Sequence, residues 1–243
     1  MQIAILIYDR LTALDAVGPY EVLSRLPGAE PTFVAQEPGP KRTDTGRLAL
    51  LADASLAEIP HPDIVLVPGG PAHAELMEDG PVHEWLRTAH ETSTWTASVC
   101  TGSLILAAAG LLTEAGGRSP AASIPVSTSR RATTHWQALE ELRRLGVETV
   151  EERVVFDGKL VTAAGVSAGI DMALALAAKI AGEQVAQAIQ LGIEYDPQPP
   201  FDAGSPHKAP AAIVEAVRAR SLAERGMRAE GECLPASVES VPT

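Results

Sequence analysis

The sequence predicts an α/β fold in three layers, a mostly parallel sheet with helices on both faces. Three observations predict it. Short continuous apolar runs alternate with longer amphipathic or wholly apolar stretches, the pattern left by strands buried on both sides. The stretch Ser103-Leu104-Ile105-Leu106-Ala107-Ala108-Ala109 is apolar almost all round, as a helix enclosed by its neighbours must be. The length, 243 residues, is also enough for a large core and is routinely accommodated by one α/β sheet.

Taken in order, residues 2–8 read as the opening strand, and their start lacks the basic region and cleavage pattern of a signal peptide. Residues 19–26 read as a helix, with Pro19 suited to its first turn and Asp15 just ahead of it. Further strands are predicted at 31–36, 63–67, 94–99 and 159–163, and edge hairpins at 47–51 and 153–156. Helices are predicted at 81–91, 102–112, 136–145, 168–181 and 184–193. One more amphipathic helix fits 209–224, and the stretch from Gly226 to the end, with Cys233, reads as a disordered and dispensable tail. The α/β domain is expected to span 1–206 and the C-terminal helix and tail 207–243.

Composition excludes several classes. A net charge of −12 gives no basic footprint for nucleic acid, and no run of about 18 apolar residues could span a bilayer. Two cysteines, Cys100 and Cys233, make no disulfide framework and point to a reducing cytoplasm. The histidines are scattered without metal-ligand spacing, so no metal is implied. The glycine spacings match neither a dinucleotide fingerprint nor a phosphate-binding loop, and no cofactor is expected.

Ligands of open α/β sheets bind outside the carboxyl ends of the strands, and four of those ends carry unusual chemistry. Asp15 follows the first. Pro68-Gly69-Gly70-Pro71 follows the third, with paired glycines that let backbone N–H groups approach a ligand. Cys100-Thr101 follows the fourth, on a strand-to-helix turn that would thrust the thiol out beside free helical N–H groups. Gly165-Val166-Ser167-Ala168-Gly169 follows the last. Each residue has a plainer reading: Cys100 as a small buried hydrophobe, Asp15 as a helix-start carboxylate, Glu21 as a solvated helix residue, Gly69-Gly70 as an ordinary turn. His135, which ends a short β-like run at 131–135, is a second candidate partner for the thiol.

Together, Val67-Pro68-Gly69-Gly70, Ser98-Val99-Cys100-Thr101-Gly102 and Thr133-Thr134-His135-Trp136 resemble the ThiJ/PfpI superfamily of flavodoxin-like proteins over roughly residues 1–206. The stretches 15–23, 100–112, 165–174 and 190–201 resemble its isonitrile-hydrating members. The resemblance implies a hydro-lyase that adds water to an isonitrile. Cys100 would be the nucleophile and Asp15 the acid/base. Thr101 would orient the reacting atoms, and Gly70, with Gly69, would line the substrate pocket. A homodimer is expected, and dependence on His135 is not. Two alternatives stand beside this: another thiol enzyme of the superfamily, glyoxalase-like or amidase-like, using His135 or Glu21, and a non-catalytic ligand or redox sensor. AraC-type regulators share such domains, but no helix-turn-helix pair follows residue 206, which argues against that class. One departure is a Gly-, Ser- and Pro-rich insert at about 113–130, expected to be a mobile loop, where the resembled proteins have only a few residues.

Overall fold

In the computed structural model, which describes residues 1–113 and 130–229, the apolar runs pair into one seven-stranded sheet. In chain order the elements are β1 (Gln2–Leu6), α1 (Ala13–Leu23), β2 (Glu30–Ala35), β3 (Gly39–Arg42), β4 (Ala49–Ala52), β5 (Ala54–Ser55), β6 (Ile64–Val67), α2 (Pro81–Thr92) and β7 (Trp95–Val99). They continue with α3 (Gly102–Ala108), β8 (Arg131–Ala132), α4 (Leu139–Arg144), β9 (Glu148–Thr149), β10 (Val154–Asp157), β11 (Leu160–Ala163), α5 (Ala168–Ala181) and α6 (Glu183–Gly192). Short 3₁₀ turns occupy Leu56–Glu58 and His73–Leu76.

The strand order is β10-β11-β7-β6-β1-β2-β5, and every pair is parallel except β10 with β11. The period of two along each strand divides the core between the faces. Ile3, Ile5, Ile64 and Leu66 join the layer that includes α1 and α5 residues, whereas Ala4, Leu6, Val65 and Val67 join that of α2 and α3. This is the expected flavodoxin-like sandwich. Helix α3 is enclosed as its composition requires, with Ser103, Leu104, Ile105 and Leu106 all fully buried. Truncating Leu104 to alanine should therefore cost about 2–5 kcal/mol.

Helices α1 and α3 and one of the two hairpins depart from the sequence reading. Helix α1 begins at Ala13, so Asp15 lies inside its first turn and Pro19 in its interior. The proline ring lies where α1 packs on α5: a Cβ on Gly169 would stand 3.1 Å from Pro19 Cγ. Helix α3 stops at Ala108, before Gly110 turns to φ +82°. The hairpin read at 47–51 forms off the main sheet, where β4 pairs antiparallel with β3, while the one read at 153–156 is β10 on the sheet edge.

By its contacts the chain divides into Met1–Tyr195 and a second unit beginning at Asp196, earlier than the expected boundary near 206. The second unit contains α7 (Ala211–Ala229), which continues past the residue where disorder was expected to begin. Most of the 113–130 insert, and Cys233, lie outside the described residues. No helix among the described residues is long and apolar enough to cross a membrane.

Candidate active site

The sheet order reverses direction between β1 and β6, and the candidate residues gather at the carboxyl ends of the strands on either side. Asp15 enters from α1 after β1, Gly69 and Gly70 from the loop after β6, Cys100 from the turn after β7, and Val166 from the turn after β11.

Cys100 takes φ +57°, a conformation that side chains other than glycine adopt only when the surroundings hold it. They do so through its whole backbone. Its N–H donates to the carbonyls of Ala163 and Ala164, both at 3.1 Å. Its own carbonyl accepts from Thr134 Oγ1 at 2.9 Å and Ser103 Oγ at 3.2 Å. Burial pushes the thiol well above its ordinary pKa, and the charge of Asp15 adds to this. The backbone N–H groups of Thr101 and Val166 act on the sulfur in the opposite sense.

Asp15 is fully buried, and burial pushes its carboxyl up to about 7 against the pull of a Gly69 N–H and of the Cys100 thiol. The Gly69 N–H donates to Oδ2 at 3.0 Å, leaving Oδ1 buried with no regular hydrogen-bond partner. The carboxyl and the thiol are close enough for each to shift the other's ionisation. A proton can therefore reside on Oδ1 beside the thiol, and such an arrangement is chemically able to take up and return a proton.

The two glycines serve these side chains. Gly70 N–H donates to Thr101 Oγ1 at 2.9 Å, and the same hydroxyl lies 3.3 Å from the Gly70 carbonyl as a donor. A Cβ on Gly69 would stand 2.5 Å from both Thr101 N and Thr101 Oγ1, so only glycine permits this approach. The sequence reading had Gly70 offering its N–H to the substrate; in the structure that N–H holds Thr101, as the Gly69 N–H holds Asp15.

The competing partners stand elsewhere. Glu21 is exposed and pairs with Arg25 at 2.8 Å one helical turn on. His135 is not among the groups that shift the thiol. Its ring lies against Gly165, where a Cβ would stand 2.5 Å from His135 Cδ2, and its Nδ1 accepts from the Gln137 N–H at 3.3 Å. Among the described residues no three His, Cys, Asp or Glu side chains gather as a metal site.

Sequence reasoning missed three contributors: Tyr8, whose hydroxyl donates to the Pro68 carbonyl at 3.0 Å, Thr134, and the Val166 N–H on a backbone at φ +39°. Thr134 and Val166 stand in motifs singled out along the sequence and Tyr8 at the end of the first predicted strand, but the hydrogen bonds they make go to partners remote in sequence or to backbone groups that no local pattern marks. The positive φ at β-branched Val166 was foreshadowed only by the glycine beside it.

A model of the DJ-1/PfpI family matches residues 1–179. The isonitrile hydratase of Pseudomonas putida is 40% identical over 230 residues, 95% of this chain and 94% of that protein. The crystal structure of a ThiJ/PfpI family protein from Pseudomonas syringae superposes with a TM-score of 0.82 and 34% identity, covering 92% of this chain and 86% of that one. Drosophila melanogaster DJ-1beta, at 20% identity and a TM-score of 0.67 over 79% and 97% of the two chains, shares the fold.

Proposed function

The chain belongs to the DJ-1/PfpI family, and from that premise we propose that it hydrates isonitriles, giving N-substituted formamides through a thioimidate on Cys100. The observation that carries the reading is the sealed thiol–carboxyl pair. Cys100 is 6% exposed and Asp15 0%, and the carboxyl has an ionisation near neutrality and one oxygen without a regular partner. An isonitrile suits so narrow a site, because its reactive carbon is terminal and carries no substituent. The likeness to the Pseudomonas putida enzyme supports the same substrate class.

Forming the thioimidate needs one proton moved twice. Asp15 as carboxylate takes the thiol proton on Oδ1 as the sulfur bonds to the isonitrile carbon, and then delivers that proton to the same carbon. The product is the thioimidate, S–CH=N–R, with Asp15 ionised again. Asp15 next removes a proton from water as the oxygen adds to this carbon, and passes that proton to the nitrogen. Collapse of the tetrahedral adduct breaks the C–S bond, forms the formamide carbonyl and returns the hydroxyl proton to sulfur. The Thr101 and Val166 N–H groups steady the departing thiolate. Thr101, tied to Gly70 through its hydroxyl, fixes the turn on which the sulfur stands.

We further propose that this chemistry belongs to the 1–206 domain of a homodimer working in the cytoplasm. Exposed Leu14, Leu48 and Leu51 support an apolar contact with a second copy, and two cysteines that make no disulfide framework suit a reducing compartment. Light scattering at twice the 25.4 kDa chain mass is expected, and a monomer would contradict the dimer. For the activity, purified protein is incubated with a simple alkyl or aryl isonitrile and the formamide is followed by NMR. Catalysed formation is expected; a rate equal to that without protein would refute it.

A further inference from the structure

We infer that Tyr8 is a positioning residue for the acid, acting through the single peptide group it shares with Asp15. The Pro68–Gly69 peptide has its carbonyl oxygen at 3.0 Å from the Tyr8 hydroxyl, which donates to it. The N–H of the same peptide donates to Asp15 Oδ2, also at 3.0 Å. A donor on the carbonyl polarises a peptide and strengthens its N–H as a donor in turn, and it also resists rotation of the peptide plane. Tyr8 thus reaches Asp15 through one conjugated unit. The inference rests on reading Asp15 as the acid/base.

The surrounding charges define the test. Asp15 faces Cys100 and, from the loop after β3, Asp44, which accepts from the Thr12 hydroxyl at 3.0 Å. Tyr8 faces Asp15, Cys100 and Glu75, the last paired with Arg10 at 2.9 Å. Tyr8→Phe removes a neutral dipole and alters none of these charges. It weakens the hydrogen bond that favours the ionised carboxyl, so the Asp15 titration should move upward by roughly 0.5–1 pH unit. Placing a fluorotyrosine at position 8, whose more acidic phenol is the better donor, should move it downward.

Two measurements on the full chain read this. One is the pH dependence of the protonated-carboxyl infrared band of substrate-free protein, assigned by its loss in Asp15→Asn. The other is the acidic limb of kcat/KM. Parallel shifts, upward for phenylalanine and downward for fluorotyrosine, are expected. A merely structural role for Tyr8 would lower thermal stability and leave both titrations unmoved, and unmoved titrations would overturn the relay. If instead Asp15→Asn hydrates isonitriles normally, the acid/base reading fails, while the infrared band still decides the relay without any turnover.

Discussion

Helix α1 carries a carboxylate in each half, and the two halves place them in opposite conditions. Asp15, in the first turn, is sealed between the loop after β6 and the Cys100 turn, with one backbone donor and a pKa pushed up to about 7. Glu21, less than two turns on, stands in solvent against Arg25. Residue type and helix are nearly the same, so the chemistry comes from burial and from the partners brought by other strands. A surface ion pair such as Glu21–Arg25 contributes about 0–1 kcal/mol and is screened by salt. The buried carboxyl is held against its own solvation, which makes it useful as an acid and unfavourable for stability.

The sharpest way to break this contrast is to neutralise each carboxylate in turn. Asp15→Asn should lower isonitrile hydration by about 10²–10⁴-fold, since an amide can neither take the thiol proton nor deliver it to carbon. Glu21→Gln should change it by less than about twofold. Steady-state formamide production measures both, and comparable losses would place the acid on the wrong half of the helix.

Stability should answer with the opposite sign. The folded carboxyl of Asp15 titrates near 7 and its unfolded form near 3.8, so between those values the native state holds a proton that the unfolded state has released. The Asp15 contribution to stability therefore falls as pH rises from about 4 to 7, and its full penalty is present above 7. Asp15→Asn should accordingly gain about 1–3 kcal/mol at pH 8, or several degrees in Tm, and flatten that part of the pH profile. Glu21→Gln should shift Tm by no more than about 1–2 °C. Calorimetry of both proteins across pH 4–8 tests this, and a Tm advantage of Asp15→Asn that fails to grow through the window would contradict the buried, proton-holding carboxyl.

Much of this molecule was legible along the chain. The buried strands announce themselves because Ile3, Ile5, Ile64 and Leu66 on one face and Ala4, Leu6, Val65 and Val67 on the other leave no polar side. The thiol was legible because a strand running into Cys100-Thr101-Gly102 leaves little room for any other geometry. The start of α1 was not, since Pro19 imitates a first-turn proline although it stands in the helix interior, against Gly169 of α5. The hydrogen bonds of Tyr8 and Thr134 were not legible, for a related reason. Each acts through a backbone carbonyl, at Pro68 and Cys100 respectively, which no side-chain pattern records.

Smaller effects sharpen the contrast around the thiol. Thr101→Val removes the acceptor of the buried Gly70 N–H, an uncompensated donor worth about 1–3 kcal/mol, and should slow hydration by roughly tenfold, while Thr101→Ser should restore most of the rate. His135→Ala should keep most activity, because the ring packs on Gly165 and does not act on the sulfur. A folded but inactive His135→Ala protein would transfer the proton chemistry to a Cys–His pair.

The most direct test is the covalent intermediate itself. Protein quenched during turnover of an isonitrile should carry, by intact mass and peptide mapping, one adduct equal to the whole mass of the isonitrile, located on Cys100. The Cys100→Ala protein should show neither adduct nor hydration. Substantial formamide production by Cys100→Ala would contradict the account.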